Sequence, residues 1–194
     1  AHANLYSLCK GVGQRLSGSA GMYKAEAWGI KVLAEAGADK VYLQECMVTH
    51  WVRGAKEEAH FKTAKRGADP DFSILALGNS VGTGSKGVLA KVIEIKNFQE
   101  LETRKDEIKG KIVFYNVRFN PILIEPWRGY DETTQYRWQG PSRAAKYGAA
   151  GTMIRSLASN LDDRPHTGGM KYNDSATKIP CIAISTVDGD YIAD

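Results

Sequence analysis

The chain has 194 residues, of which 43% are hydrophobic and 25% are charged, and this composition is typical of a globular domain, alone or with an appendage. Lysine and arginine alternate with acidic residues, so the net charge of +4 forms no dense basic block, which disfavours nucleic acid as a partner. No apolar run reaches the roughly 20 residues that cross a bilayer, and the opening AHANLYSLCK lacks the pattern of a signal peptide.

The amino-terminal part predicts helices followed by a strand. Apolar residues recur at helical spacing between Leu5 and Leu16 and again between Met22 and Ala36, and Gly37 is a suitable end for the second helix. From Lys40 the alternation changes to every second residue. KVYLQECMVTHWV is therefore predicted to be one long strand.

From about Ala55 onward, strand and helix patterns alternate. The strand patterns are FSILALG, GVLAKVIEI, KIVFYNV, GTMIRSL and IPCIAIS. The helix patterns are NFQELETRKDEI, with Asn97 as its cap, GPSRAAKYGAAG, with Pro141 in its first turn, and a final helix capped by Thr186. FNPILIEPWRGYDETTQYRWQ fits neither pattern, so we predict a long loop that is functional or faces a partner.

This order of elements predicts the fold class α/β (α+β). Helices and a long strand occupy residues 1–54, and a β-rich domain with short helices occupies residues 55–194. The two parts are expected to be separate pieces of structure.

Cysteine and histidine give no metal-binding pattern. The three cysteines, Cys9, Cys46 and Cys181, have apolar neighbours and form no C-x-x-C pair, so they are predicted to be small buried side chains. The histidines are isolated, and H-E-x-x-H does not occur. His50, beside Trp51, is predicted to be packed and half-buried rather than a ligand. The sequence thus predicts neither a metal nor a cofactor within this chain.

One short motif resembles a catalytic serine. GNSVG, residues 78–82, matches the G-x-S-x-G nucleophile elbow around Ser80, with Asp162 or Asp163 and His166 later in the chain. The elbow requires a helix directly after the serine, whereas a glycine-rich turn and a strand pattern follow Ser80. The overlapping GTGSKG also lacks the helix that would bind a pyrophosphate. A serine hydrolase using Ser80 is therefore the less favoured alternative.

Aromatic residues and arginines mark a recognition surface, because tryptophan, tyrosine and arginine are enriched at binding hot spots. Arginine also recognises carboxylates through paired hydrogen bonds, although a surface ion pair is the simpler explanation for an isolated arginine. In RPHTGGMKY, a histidine and a threonine precede a glycine turn. The predicted cleft or interface residues are His50, Trp51, Trp127, Tyr136, Arg137, Trp138, Arg155, His166 and Thr167.

A set of phrases carries a family resemblance. In order along the chain they are GVGQRLSGS, VTHWVRG, LALGNSVGT, GKIVFYNV, TTQYRWQGPSRAAKYGAAGTMIRSLAS, PHTGGMKY and KIPCIAIS. Together they resemble the amino-terminal region of secreted zinc exopeptidases of metallopeptidase family 28, in the plasma glutamate carboxypeptidase group. The resemblance implies that the first helices and strand belong to the peptidase domain, and that a protease-associated domain is inserted from about Arg53 to Glu58 onward.

The resemblance also implies a role. The two zinc ions and the general base of such enzymes would lie beyond residue 194, so this chain would be a fragment that covers the catalytic cleft and restricts substrate access without catalysing hydrolysis. Its partners would be the remaining peptidase domain and peptide substrates, with a homo-oligomer as a further expectation. The parent enzyme would be secreted or periplasmic. A freestanding protease-associated module that binds a protein or peptide stays open as an alternative.

Overall fold

The computed structural model describes residues 1–62 and 71–193. Contacts between residues divide the chain into two compact units, Ala1–Val52 and Arg53–Asp194. Each unit is described by itself.

The first unit is helical. Helix α1 (His2–Tyr6) continues as a π-helical stretch, Ser7–Val12, and helix α2 spans Ala20–Glu35. The Ser19 side chain accepts a hydrogen bond from the Met22 amide, which satisfies one of the free N–H groups at the start of α2. Gly37 has a φ of +89° and ends this helix as predicted. No residue of this unit is fully buried, so its apolar faces lack the cover that usually stabilises amphipathic helices.

The prediction of a long strand for residues 40–52 was wrong. This segment forms neither helix nor strand. A β-strand requires a hydrogen-bonded neighbour, and the described residues of this unit contain no second strand. Met47 is fully exposed and Val48 is half exposed. Cys9 and Cys46 are exposed too, so their predicted burial was wrong, whereas Cys181 in the second unit is buried as predicted.

The second unit is built on a five-stranded mixed sheet in the order β1-β5-β4-β3-β2. Its strands are β1 (Ile74–Ala76), β2 (Val92–Ile95), β3 (Ile112–Tyr115), β4 (Gly151–Arg155) and β5 (Cys181–Ile184). The pairs β2–β3, β3–β4 and β4–β5 are parallel, whereas β1 pairs with β5 in the antiparallel direction. All five strands lie within the strand patterns of the sequence, and the mixed α/β class is confirmed.

The helices of this unit are short. They are α3 (Phe98–Thr103), α4 (Pro126–Trp138), α5 (Gly140–Lys146) and α6 (Thr186–Ala193), with a 3-10 turn at Lys105–Glu107. The Asn97 side chain caps α3 as predicted by accepting from the Glu100 amide at 2.7 Å. Helix α6 begins where predicted, but its cap is the Ser185 hydroxyl, which accepts from the Asp188 amide at 3.0 Å. Thr186 instead bonds to the Asn160–Asp162 backbone.

Apolar side chains pack on both faces of the sheet. The larger cluster joins Val113, Tyr115 and Ile154 to the helical layer through Leu101 and Ala144. On the opposite face Phe114, Met153 and Ile184 are buried, with Phe72 and Ile192 packed against them. Since parallel sheets are stable when both faces are covered, the sheet is a rigid base for the connections at its ends.

The outer edge of β1 is covered by side chains. The Ala76 amide donates to Glu57 Oε1 at 3.0 Å, and the Ala76 carbonyl accepts from Arg53 Nη2 and from Thr167 Oγ1, each at 3.1 Å. Arg53 and Glu57 also form an ion pair. The backbone groups that Ala76 turns away from β5 are therefore satisfied without another strand.

Helix α4 lies inside the segment that was predicted to be a long loop, so that prediction was wrong. Pro126 occupies the first turn, which suits its fixed backbone angle and missing N–H. The buried side of α4 has helical spacing but consists of Gly129, Thr133, Tyr136 and Arg137. Because only one of these residues is a large apolar one, the hydrophobic pattern of a helix is missing from the sequence.

Candidate functional site

The connection from β4 to β5 and helix α4 together form the candidate site. The amide of His166 donates to Ser156 Oγ at 2.7 Å, and the Gly78 amide donates to the Gly168 carbonyl at 2.8 Å. The imidazole Nδ1 of His166 lies 3.0 Å from the Leu157 carbonyl oxygen. These contacts, with the hydrogen bond from Thr167 to Ala76, hold the His166–Gly169 loop against the end of the sheet.

Arg137, near the end of α4, is the central side chain of the site. Only 8% of its surface is exposed. Its Nη2 atom donates to the Tyr130 hydroxyl at 2.5 Å and to Thr134 Oγ1 at 3.3 Å, and the guanidinium carbon lies 5.4 Å from the centre of the Tyr130 ring. Helical side chains lean toward the amino terminus of their helix, which brings the guanidinium of residue 137 to the level of residues 130 and 134.

The other two guanidinium nitrogens of Arg137, Nε and Nη1, are buried and have no hydrogen-bond partner among the described residues. A buried N–H without an acceptor costs about 1–3 kcal/mol, and more when the group is charged. A buried arginine in a folded protein normally has all its donors paired. Arg137 therefore lacks an acceptor, and a carboxylate is the acceptor that best matches a guanidinium.

Gly168 makes room for this guanidinium. A Cβ atom added at Gly168 would lie 2.6 Å from Arg137 Cζ and 2.7 Å from Nη1. These distances are shorter than any real carbon contact, so no residue with a side chain fits while Arg137 stays in place. The glycine turn in the sequence thus has a specific reason at this position, which is the close approach of Arg137.

Aromatic rings extend the site away from Arg137. The Tyr130 ring lies 5.9 Å from the His166 ring and 5.9 Å from the Trp127 ring, the latter in an edge-to-face arrangement at 81°. Trp127 is 76% exposed. The structure thus brings together Trp127, Arg137, His166 and Thr167 of the predicted set, and it adds Tyr130 as the ring that connects them.

Two predicted residues of the same helix lie elsewhere. Tyr136 is in the core, where its ring centre lies 4.5 Å from that of Phe98 and 5.8 Å from that of Tyr115, and burial raises its pKa. Trp138 is half exposed, and its ring lies near Gly169.

Arg155 belongs to a different polar network. It is 4% exposed and donates to Asp190 Oδ1 at 2.7 Å and to Asn116 Oδ1 at 3.3 Å, while Arg118 also pairs with Asp190 at 2.6 Å. The hydrogen bond from Arg155 lowers the pKa of Asp190. The network ties α6 to the ends of β3 and β4, beside an open cavity of about 390 Å³. Within it, Arg155 and Arg118 both pair with the carboxylate of Asp190.

His50 and Trp51 lie in the first unit. His50 is exposed, so its predicted half-burial was wrong, although a Cβ atom added at Gly18 would lie 3.1 Å from the Cβ and Cγ atoms of His50. Trp51 is partly buried.

Ser80 sits in a hydrogen-bonded turn. Its hydroxyl donates to the Val81 carbonyl at 2.9 Å and accepts from the Cys181 amide at 2.9 Å. The Val81 amide in turn donates to the Tyr172 hydroxyl at 3.1 Å. Burial raises the pKa of the Cys181 thiol to about 11 and that of Tyr172 to about 12. These contacts hold the turn against β5. The hydrogen bonds of His166 are with Ser156 and Leu157.

Across residues 1–62 and 71–193, no three histidine, cysteine or acidic side chains are grouped so that they could hold a metal ion. The described residues therefore do not fit a zinc centre. In the same ranges, no helix has both the length and the apolar character needed to span a bilayer.

The sequence contains a signal for the site that its hydrophobic pattern does not reveal. Tyr130, Thr134 and Arg137 are spaced by four and three residues, which places them on one face of a helix. That relation becomes visible only when the segment is recognised as helical. Ser156, which positions His166, has no signal in the sequence because it depends on how the loop folds back.

Comparison with known proteins relates the chain to peptidases. No protein-family model matches it. Carboxypeptidase Q of Xenopus laevis is 38% identical over 182 residues, which cover 94% of this chain and 36% of that relative. A peptidase M28 precursor from Shewanella amazonensis has a similar structure, with a TM-score of 0.88 and 31% identity over 99% of this chain and 42% of the other.

A zinc aminopeptidase from Bacillus subtilis shares the fold at a TM-score of 0.57 and 17% identity, over 100% of this chain and 40% of that one. The chain spans well under half the length of each of these proteins. Over nearly all of its own length, the chain is therefore a homologue of carboxypeptidase Q among the M28 peptidases.

Proposed function

We propose that this chain is the non-catalytic, protease-associated region of a longer di-zinc exopeptidase, and that it recognises the peptide substrate. The homology to carboxypeptidase Q over nearly the whole chain supports the enzyme class. The unpaired, buried guanidinium of Arg137 is the observation that carries the recognition role.

In this proposal the two units belong to different domains. The first unit would be part of the peptidase domain, and residues from about 55 onward would form the protease-associated domain. The absence of any fully buried residue in Ala1–Val52 supports this division, because its helices need the rest of a peptidase domain to cover their apolar faces. The rest of the polypeptide would supply the zinc ligands and the general base.

Arg137 is proposed to bind the free carboxylate of the substrate. The name of carboxypeptidase Q describes an enzyme that acts at the carboxyl end of a peptide, and a guanidinium forms short, charge-assisted hydrogen bonds with such a group. His166, whose ring lies 5.9 Å from Tyr130, stands next to the same position. A fixed arginine at one wall of the cleft would restrict hydrolysis to short peptides with a free end.

Binding at Arg137 requires the loop to move. Nε and Nη1 are covered, and Gly168 is the residue that lies against them. A carboxylate oxygen reaches one of these nitrogens when the His166–Gly169 segment shifts outward, and the adjacent glycines make that shift inexpensive in backbone energy. The peptide group that lines the guanidinium would then be replaced by the ligand.

The parent enzyme would be secreted or periplasmic, and it would assemble as a homo-oligomer. The partners of this chain would be the peptidase domain of the same polypeptide and short peptides. The zinc ions would lower the pKa of a bound water and polarise the scissile carbonyl when bound. The residues of this chain hold and orient the peptide for that reaction.

The test uses the complete polypeptide that contains this chain, purified with zinc. Matched peptides are compared as free acids and as carboxyl-terminal amides. We expect hydrolysis that a chelator abolishes, a preference for the free acids, and a loss of on the order of 100-fold in kcat/KM for free acids in Arg137→Gln, since a hydrogen bond between two charged groups is removed. Amide substrates should lose far less.

Arg128→Gln is the matched control, because Arg128 is an exposed arginine of the same helix that lies outside the site. It should leave both substrate classes unchanged. Absence of chelator-sensitive hydrolysis would sink the enzyme class, whereas equal rates on acids and amides would sink only the role of Arg137.

A further inference from the structure

We propose that Trp127 and Tyr130 form a subsite for the side chain of the substrate residue whose carboxylate Arg137 binds, and that this subsite selects aromatic and large apolar side chains. The inference rests on the proposed function and adds the class of substrate to it.

Trp127 is the first reason for this assignment. It lies in the first turn of α4 and is 76% exposed, although an indole is among the largest apolar groups in proteins. Its only ring contact among the described residues is the edge-to-face pair with Tyr130. One side of the indole therefore rests on Tyr130, and the other is open to a ligand.

The connection to Arg137 is the second reason. Tyr130 bonds to Arg137 through its hydroxyl at 2.5 Å and contacts Trp127 through its ring at 5.9 Å. One tyrosine therefore separates the cationic group from the exposed indole. A ligand with its carboxylate at Arg137 has Tyr130 beside its α-carbon, and its side chain extends along the helix toward Trp127.

The chemistry of these walls sets the selectivity. Aromatic pairs are favourable at ring separations of 4.5–7 Å in offset or edge-to-face arrangements, and the tyrosine and tryptophan here are already fixed in such an arrangement. The guanidinium of Arg137, 5.4 Å from the centre of the Tyr130 ring, is the charged group beside these walls within the part of the chain that the structure describes. In an apolar pocket, one methylene more or less in the side chain changes kcat/KM by about 10-fold to 200-fold. An open site with two walls belongs at the lower end of this range.

The test again uses the complete zinc-loaded polypeptide. Substrates share one acyl part and differ in the residue that carries the free carboxylate, which is Gly, Ala, Leu or Phe. For the wild type we expect kcat/KM to rise by about 10-fold or more from Ala to Phe. In Trp127→Ala this ratio should fall to near one, and Trp127→Phe should restore most of it.

Ile124→Ala is the control variant, since Ile124 is 98% exposed, apolar, and close to Trp127 in sequence. It should keep the wild-type ratio. Thermal unfolding of each variant establishes that the fold is retained. An unchanged Phe-to-Ala ratio in Trp127→Ala overturns the subsite, as does an equal loss on all substrates including Gly, which would mean that Trp127 packs on another part of the polypeptide. Equal hydrolysis of acids and amides by the wild type points instead to failure of the Arg137 assignment.

Discussion

Replacing Arg137 by methionine should have little effect on stability, which is unusual for a buried charged residue. The change removes the hydrogen bond to Tyr130 at 2.5 Å, worth about 1.5–3 kcal/mol, the longer one to Thr134 at 3.3 Å, and a ring contact worth about 1 kcal/mol. It also removes two buried nitrogens without partners, whose cost is about 2–6 kcal/mol together. The opposing contributions nearly cancel, so we expect a net change within about 2 kcal/mol of zero.

Arg155→Met provides the contrast. Arg155 is similarly buried, but it forms an ion pair with Asp190 and a hydrogen bond to Asn116, both through Nη1, and breaking a buried ion pair costs about 3–5 kcal/mol. Asp190 keeps Arg118, so we expect a loss near 3 kcal/mol at the lower end of that range. The measurement is denaturant unfolding, together with hydrogen exchange of the slowest amides in β3 and β4. Similar losses in both variants would show that Arg137 has acceptors in the folded protein and would refute the reasoning.

Two further predictions concern titratable groups. The hydrogen bond from Arg155 depresses the pKa of Asp190, so the stabilisation it gives is complete above the ordinary aspartate pKa of about 3.9 and is lost as the pH falls through the lower folded-state value. Asp190→Asn should therefore be less stable than the wild type at pH 7 and should show a flatter decline in acid; a parallel decline in both proteins would contradict this. With a pKa raised to about 11, Cys181 should react with a thiol reagent at pH 8 roughly 100-fold more slowly than an ordinary thiol, while the exposed Cys9 and Cys46 react first. Three equal rates would argue against burial of Cys181.

Local patterns predicted the second unit well where the chain's own preferences agree with the tertiary structure. KIVFYNV contains β3 and IPCIAIS contains β5, and both patterns are readable because buried parallel strands are apolar without interruption. Asn97 was identifiable as a cap from the residue type and the Glu100 that follows it. Such features depend on a few neighbouring residues, so the sequence contains all the information needed.

Features that depend on distant partners were not predictable in this way. Helix α4 buries Thr133 and Arg137, and neither residue marks a core-facing position by its type. Residues 40–52 alternate as a strand does, yet a strand forms only beside another one. The pairing of Arg137 with Tyr130, and its contact with Gly168, required the packed structure.

The cover on the β1 edge has a mechanical consequence. Three side chains, from Arg53, Glu57 and Thr167, converge on the backbone N–H and C=O of a single residue, Ala76. The segment where the chain enters this unit and the loop that carries His166 therefore share one anchor. Arg53 and Thr167 donate to the same acceptor, the Ala76 carbonyl oxygen. Tension on the segment that contains Arg53 is therefore transmitted to the loop over Arg137 through these two consecutive hydrogen bonds.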